Sequence, residues 1–416
     1  MKILVLNSGS SSQKSALFEL GPECASDPVP PLWEGKLEWD GDKESLHIRN
    51  SSGQELRRNG KVGVHRASVA AMLENIWSGP TAVLRSVSEI GVAGHRIVHG
   101  GPKLTQPVRI TPEVKQEIEN VAAIAPLHNQ AGLDGIELLE KLLPNAPQIA
   151  VFDTGFHRTL PPEAFIYPLP YSCYERDGIR RYGFHGINHE YCAHRTAQLL
   201  KRDLSSLKII TCHLGNGCSL AAIDAGKSID TTMGFTPLEG LMMGTRSGSV
   251  DPGILIHILR GDPRDPRRNP RDAALIENID HTLNHQSGLL GISGISSDMR
   301  GVLEAMQSGN KRAQLAFDIF VHRLQAGIGA MAASLGGVDA LVFTAGIGEN
   351  SPEVRKAACS KLSFVGVHLD DGKNSAAKPD AEVSSPASKV RVLVIRAQED
   401  WAIARECERL SGAASL

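Results

Sequence analysis

A strand–turn–strand pattern occurs twice in this chain, and it limits the possible folds more than any other feature. Residues 2–6 form a short aliphatic run, the Asn-Ser-Gly-Ser-Ser-Ser of residues 7–12 breaks it, and apolar character resumes over 16–20. The same order returns near the middle: an apolar run at 207–214, a turn at Gly215-Asn216-Gly217, and a second run at 219–223. Aliphatic runs separated by Gly, Ser and Asn read as paired strands. Each hairpin opens one half of the chain. That suggests an internal duplication of the fold; the competing reading is a coincidence of two common hairpins.

Elsewhere the pattern alternates. Residues 112–124 and 131–143 have helical periodicity, 148–153 is a short strand ending in an acid, and 186–200 reads as a helix. Residues 312–335 predict a long helix with small residues on one face, 338–343 a strand running into Gly346 and Gly348, and 352–359 a helix. Strands alternating with helices predict an α/β protein. Loops are expected at 21–31, 261–272 and 372–389, the last polar and rich in Ser, Ala and Pro.

A chain of 416 residues is long enough for two domains or one large two-lobed fold. Its net charge of −2 argues against a general nucleic-acid binder. An anionic ligand must therefore be held by local arginines and helix N-termini, not by the overall field. Cys24, Cys173, Cys192, Cys212, Cys218, Cys359 and Cys407 are scattered, with no Cys-x-x-Cys pair, which fits a reduced compartment better than a disulfide framework or zinc site. The first apolar run is too short for a signal peptide, and no stretch is long enough to span a bilayer. A soluble cytoplasmic protein is expected.

Four segments could carry chemistry. In Gly-Leu-Met-Met-Gly-Thr-Arg-Ser-Gly-Ser-Val-Asp-Pro-Gly (240–253), one arginine, Arg246, stands among small residues and turn formers. Such a guanidinium presents a rigid fork of donors to carboxylate or phosphate oxygens. Arg96 lies in Gly-His-Arg-Ile-Val-His-Gly-Gly, where a salt bridge or a ligand would equally explain it. His185, in Arg-Arg-Tyr-Gly-Phe-His-Gly-Ile-Asn-His, reads better as a donor to an oxyanion than as a metal ligand, because His189 supplies no zinc motif. Gly346-Ile347-Gly348-Glu349-Asn350 follows a strand, a placement that brings backbone close to a nucleotide, but it is neither a phosphate-binding GxxxxGK[ST] loop nor a full GxGxxG fingerprint. Asp153 ends a strand, where a carboxylate can hold Mg²⁺ or cap the next helix. Glu399 and Asp400 precede an apolar helix at 401–407; they could cap it or reach a metal-bound phosphate. Together these segments read as a phosphoryl-transfer site.

The ordered set LNSGSSSQK, HRIVHGG, APLHN, VFDTGFH, RRYGFHG, HLGNGCS, GFTPLEGLMMGTRSG, SGLLGISGISSDMR, FTAGIGENSPEVR and ED-x-x-IAR resembles the acetokinase family nearly end to end. The resemblance implies two ribonuclease-H-like lobes with a duplicated βββαβαβα core and an interlobe nucleotide cleft. It places an N-terminal lobe at 1–153 plus 399–416 and a nucleotide-binding lobe at 154–398. It implies reversible transfer of the ATP γ-phosphoryl group to acetate with Mg²⁺ or Mn²⁺, in a cytoplasmic homodimer with no nucleic-acid or membrane partner.

Carried over residue by residue, the resemblance gives the catalytic roles to Arg96, Asp153, His185 and Arg246, with His185 and Arg246 stabilising the transition state. Asn7 and Glu399 are the metal residues, Ser10 and Ser12 are supporting residues, and His128 lies near His185 and supports the transferring phosphoryl group. The acetate methyl falls to Val98, Leu127, Phe184 and Pro237, beside Arg96. Nucleotide contacts fall to Lys14, His213, Asn216, Gly217, Asp298, Met299, Arg300, Gly346, Ile347, Gly348 and Asn350. The chain departs from the family pattern at Ile187, Asn188, Ser249, Gln398 and Trp401, which touches supporting hydrogen bonds and not the assigned catalytic groups. Competing readings are a propionate or other short-chain acyl kinase, a pyrophosphate-dependent enzyme, and a non-enzymatic actin-like nucleotide switch. Val98 and the intact Asp-Met-Arg segment argue against the first two, and the retained Arg96, His185 and Arg246 against the third.

Overall fold

The computed structural model describes residues 1–9, 12–21, 27–122, 126–260 and 273–412, with side chains for all of these but residues 40, 126–128, 273 and 274. The chain divides into two compact units: Met1–Arg158 with Gly186–Tyr191 and Gln398–Leu416, and Thr159–His185 with Cys192–Ala397.

In the first unit, β1 (Lys2–Ser8), β2 (Ser12–Glu19), β3 (Trp33–Asp40), β4 (Lys43–Asn50), β5 (Glu55–Lys61), β6 (Val92–Ile97), β7 (Val108–Arg109) and β8 (Gln148–Phe152) form one sheet in the order β5-β4-β3-β2-β1-β6-β8-β7. β1 to β5 pair antiparallel in succession, while β6 and β8 continue parallel to β1. Successive side chains of a strand point to opposite faces. Leu4 and Leu6 accordingly join Leu17, Trp33 and Leu37 in one core cluster, beside Met72 and Leu73 of helix His65–Glu74. Ile3 and Val5 join Ala16, Phe18, Val92 and Val151 in the other, which Trp401, Ile403, Ala404 and Cys407 of helix Glu399–Gly412 close. Burying each large side chain of that helix contributes about 1.5–3 kcal/mol. Ile187 and Tyr191 belong to this second cluster, which is why the first turns of helix Gly186–Leu200 go with the first unit.

The second unit's sheet comprises β9 (Lys208–Leu214), β10 (Cys218–Asp224), β11 (Lys227–Thr231), β12 (Ala340–Thr344), β13 (Ala381–Glu382) and β14 (Arg391–Val394), ordered β11-β10-β9-β12-β14-β13. β9 to β11 form an antiparallel meander, and β12 and β14 run parallel to β9. This repeats β3-β2-β1-β6-β8 strand for strand. The two hairpins thus mark a true duplication of the ribonuclease-H-like core. Helix Lys311–Leu335 covers the sheet with Phe320, Leu324, Ile328 and Met331 buried. Asn310 caps its start, accepting from the Arg312 and Ala313 amides at 3.0 Å each, and left-handed Gly336 ends it.

Several expected boundaries move. The helix expected at 131–143 is Pro126–Leu142, so Leu127 and His128 fall on its first turn. The helix expected at 401–407 starts at Glu399, which makes Glu399 and Asp400 helical residues. The expected loop 372–389 contains most of helix Asp371–Ala376, capped by Asp370, and β13, paired with β14. Gly346–Asn350 follows β12 and precedes helix Pro352–Cys359 as expected, but is itself helical, within Ala345–Asn350. The loop 261–272, Cys24 and Ser10 lie outside the described residues. Among the described residues, no helix is long and apolar enough to cross a membrane.

Candidate active site

In the first unit, parallel strands deliver three assigned residues at their carboxyl ends, where open α/β sheets present ligand groups. Asn7 is the penultimate residue of β1 and stands in register with Arg96 of β6. Asp153 follows β8 directly. Arg96 Nε donates to Asp153 Oδ2 at 3.1 Å, Nη2 donates to the same oxygen at 2.5 Å, and Nη1 donates to Asn7 Oδ1 at 3.1 Å. The Asn7 amide then donates to Glu399 Oε2 at 3.1 Å and Asp400 Oδ1 at 2.8 Å. Burial works against charge on Arg96, but Asp153, Glu399 and Asp400 more than offset it and raise its pKa above the ordinary arginine value. Asp400 is shifted up, by burial first and by Glu399 in part, while the Asn7 bond, Lys14 and Arg96 pull it down. Lys14 stands opposite Asn7 on β2. Val98 is buried just beyond β6, whereas the side chains of Leu127 and His128 lie outside the description.

The second unit gathers the other group. His185 caps helix Gly186–Leu200 in the left-handed region, φ 56°. A non-glycine residue held there is strained and must be fixed by its surroundings. Its ring stacks on that of His213 at 3.9 Å, and Nδ1 shares a hydrogen bond with Ser219 Oγ at 2.9 Å. A Cβ at Gly217 would stand 3.3 Å from His185 Nε2 and 3.8 Å from Arg246 Nη1, so the bare backbone of the β9–β10 turn lets both side chains approach one point. Arg246 Nη1 also donates to the Pro237 carbonyl at 3.4 Å. Burial pushes the Arg246 pKa down and the nearby Cys218 thiol moderates that; the same burial pushes Cys218 up to about 12.

The arginine loop is held by backbone bonds. Met243 N donates to the Arg246 carbonyl at 3.1 Å, and Gly244 N to the Asn216 carbonyl at 3.0 Å. A Cβ at Gly244 would meet Asn216 Oδ1 at 2.1 Å and the Ser297 carbonyl at 2.8 Å, so only glycine lets the loop lie on the β9–β10 turn. Ser249 bridges the loop's ends: its N donates to the Gly240 carbonyl at 2.9 Å and its Oγ accepts from Gly240 N at 3.0 Å. This departure from the family pattern thus closes the loop. Ile187, a second departure, fills core space.

Other assigned residues differ in exposure. Phe184 and Met299 are buried, at 1% and 2% exposure, so Met299 has only backbone to offer a ligand. Asp298 caps helix Met299–Gln307 and pairs with the exposed Arg300 at 2.5 Å. Gly346 is exposed, and a Cβ there would meet nothing within 4 Å; Asn350 Nδ2 donates to its carbonyl at 2.9 Å. Ser12 is half-buried at the start of β2, and its carbonyl accepts from Gly9 N at 2.8 Å. Ser219 and Asp400 carry bonds that the motif reading did not assign. Nothing in the sequence marks Ser219 as the partner of His185; Asp400 was visible only as the neighbour of Glu399.

The oxygen donors suit a hard divalent cation. Asn7, Glu399 and Asp400 converge through the Asn7 amide. Among the described residues, no cluster of three or more His, Cys, Asp or Glu is placed to cage a metal. Mg²⁺ usually takes one or two carboxylates and completes its shell with water and substrate phosphates, so this donor set fits an ion that arrives with a phosphorylated substrate.

Two ribonuclease-H-like α/β units with guanidinium groups at strand ends and turns define a protein built to handle anionic groups. The chain belongs to the acetokinase family, whose model matches residues 2–405. A protein of Gloeobacter violaceus named acetate kinase is 56% identical over 411 residues, 98% of each chain, and one of Trichormus variabilis with the same name is 54% identical over 413 residues, 99% of each. Among solved structures, Porphyromonas gingivalis acetate kinase superposes with a TM-score of 0.87 at 40% identity, covering 99% of both chains. A propionate kinase from Francisella tularensis gives 0.86 at 36% identity, covering 98% of this chain and 99% of that one.

Proposed function

We propose that this chain transfers the γ-phosphoryl group of ATP reversibly to acetate, giving acetyl phosphate and ADP by direct in-line attack of the carboxylate. The observation that carries the reading is the Arg96 guanidinium, kept charged and clamped by Asp153 in a chain of the acetokinase family. Acetate is ionised at neutral pH, so its oxygen attacks without a general base. The obstacle is repulsion between two anions and the charge spread over the transferring group, which fixed positive groups relieve.

Arg96 and Arg246 hold the carboxylate and the phosphoryl oxygens, and Asp153 fixes the plane of the Arg96 fork. With Ser219 donating to His185 Nδ1, the His185 proton sits on Nε2, whose N–H donates a hydrogen bond to a phosphoryl oxygen. Asn7 and Glu399 would hold Mg²⁺ or Mn²⁺, which when bound neutralises phosphate charge. Ser10, Ser12 and His128 support these groups. Val98, Leu127, Phe184 and Pro237 take the acetate methyl. Lys14, His213, Asn216, Gly217, Asp298, Met299, Arg300, Gly346, Ile347, Gly348 and Asn350 take the nucleotide; all but Lys14 belong to 154–398, the nucleotide-binding lobe, with 1–153 and 399–416 as its companion. We place the protein in the cytoplasm as a homodimer.

The test is ADP formation from Mg-ATP with acetate, propionate and butyrate in parallel, with pyrophosphate as an alternative donor. Highest kcat/KM for acetate with ATP is the expected result. No stimulation by any acid would refute the kinase reading and favour a nucleotide switch. Propionate is the second reading, favoured by the likeness to the Francisella tularensis propionate kinase. One methylene in an apolar pocket discriminates by only about 10–200-fold, so propionate is expected as a slower substrate.

A further inference from the structure

Arg355 is 1% exposed, yet among the described residues its hydrogen bonds go to neutral oxygens. Nη1 donates to the carbonyls of Gly348 at 2.8 Å and Glu349 at 2.9 Å. Nε donates to Asn374 Oδ1 at 2.8 Å, and Nη2 to the Asn374 carbonyl at 2.9 Å. Asn374 is itself 2% exposed, and its amide donates to the Pro352 carbonyl at 2.9 Å. One guanidinium therefore ties helix Ala345–Asn350 to helix Asp371–Ala376 from its own place on helix Pro352–Cys359.

Burying a cation with no hydrogen-bonded carboxylate is costly and needs a return. Here the return is geometric. The carbonyls of Gly348 and Glu349 end a helix too short to satisfy them internally, and they carry partial negative charge. The same short helix opens at Ala345 with φ 65°, a conformation that persists only where the surroundings impose it. Its far side is also fastened, because Glu349 Oε1 accepts from the Ala397 amide at 2.8 Å. Gly346, at its start, has open space where a side chain would stand.

We propose that Arg355 is a positioning residue for nucleotide binding: by gripping the Gly348 and Glu349 carbonyls from below, it fixes the backbone of Gly346 and Ile347 against which the nucleotide lies. The proposal rests on the kinase reading above and deepens it. Its substitution therefore loosens the nucleotide and leaves the acyl acceptor alone.

The experiment uses the full chain with Arg355→Lys, which keeps the charge but loses the fork, and Asn374→Ala, which frees one side of the guanidinium. Fluorescent ADP titration gives the nucleotide Kd, and steady-state kinetics give KM for ATP and for acetate. The expected result is about a tenfold rise in nucleotide Kd and ATP KM for Arg355→Lys, a smaller rise for Asn374→Ala, and an acetate KM within about twofold of the parent. Unchanged nucleotide affinity in both folded variants overturns the proposal. So does an equal rise in both KM values, or a failure of both variants to fold, either of which reduces Arg355 to a structural residue. If the parent chain itself does not bind ADP, the kinase reading fails first and is identified as the cause.

Discussion

Arg96 and Arg246 are placed differently, and their substitutions should behave differently. Removing Arg96 leaves the Asp153 carboxylate, 1% exposed, without its guanidinium. Breaking a buried pair that way costs about 3–5 kcal/mol, so Arg96→Ala should lower the unfolding free energy as well as the rate. Arg246 stands beside the bare β9–β10 turn with His185, so Arg246→Ala should lower kcat about 10²–10³-fold. Steady-state assays on both variants and a thermal melt of Arg96→Ala check these outcomes. His185→Asn tolerates the left-handed backbone but lacks the ring that stacks on His213. It should lose about 10²-fold or more in kcat with its fold intact; near-parental kcat would remove His185 from the chemistry. His95, on the same strand as Arg96, is fully buried against Gln148, and burial depresses its pKa to about 4. The native state refuses a proton that the unfolded chain accepts. Stability is thus full above about pH 6.5 and is lost as pH falls toward 4, by about 3 kcal/mol over that window. Urea unfolding of the parent and of His95→Gln at pH 7 and 4.5 should show the parent's advantage shrinking.

Elements written in local chemistry were legible in the sequence, and those made by distant pairing were not. The two hairpins stood out because aliphatic runs and turn residues alternate within a few positions. Helices Gly186–Leu200 and Pro352–Cys359 have the expected bounds. β5, with the sequence Glu-Leu-Arg-Arg-Asn-Gly-Lys, exposes nearly every side chain and owes its strand form to pairing with β4, so no apolar pattern announces it. β7 and β13 are two residues long and exist only through β8 and β14. The site follows the same rule. Glycine turns and lone arginines drew Gly217, Arg96 and Arg246 out as candidates, whereas Ser219 and Arg355 are ordinary residues whose bonds to His185 and Asn374 span 34 and 19 positions. The arginine loop and the β9–β10 turn also yield a prediction. Gly244→Ala would drive a methyl into Asn216, so ATP KM should rise about tenfold or more; unchanged KM would show that Asn216 has room to yield.

At the scale of the whole molecule, two copies of one strand order carry different groups at their strand ends: Asn7, Arg96 and Asp153 in one, and His213, Asn216 and Gly217 in the other. A nucleotide that binds only the native chain stabilises it by about 2.7 kcal/mol at a hundred times Kd, so Mg-ADP should raise Tm measurably, and Arg355→Lys should show less of that rise at equal ADP. Light scattering should return twice the 44.6 kDa chain mass if the homodimer forms. The first unit is discontinuous: residues 1–158 need 398–416 to cover Ile3, Val5 and Phe18 and to receive the Asn7 amide. On the ribosome, that apolar face waits through the synthesis of more than two hundred residues before its cover emerges. The second unit's sequence is complete by then. A nascent chain therefore finishes its later half first, and a product released early carries Asn7 without Glu399 and Asp400, which accept from its amide, and leaves a greasy surface for chaperones to hold.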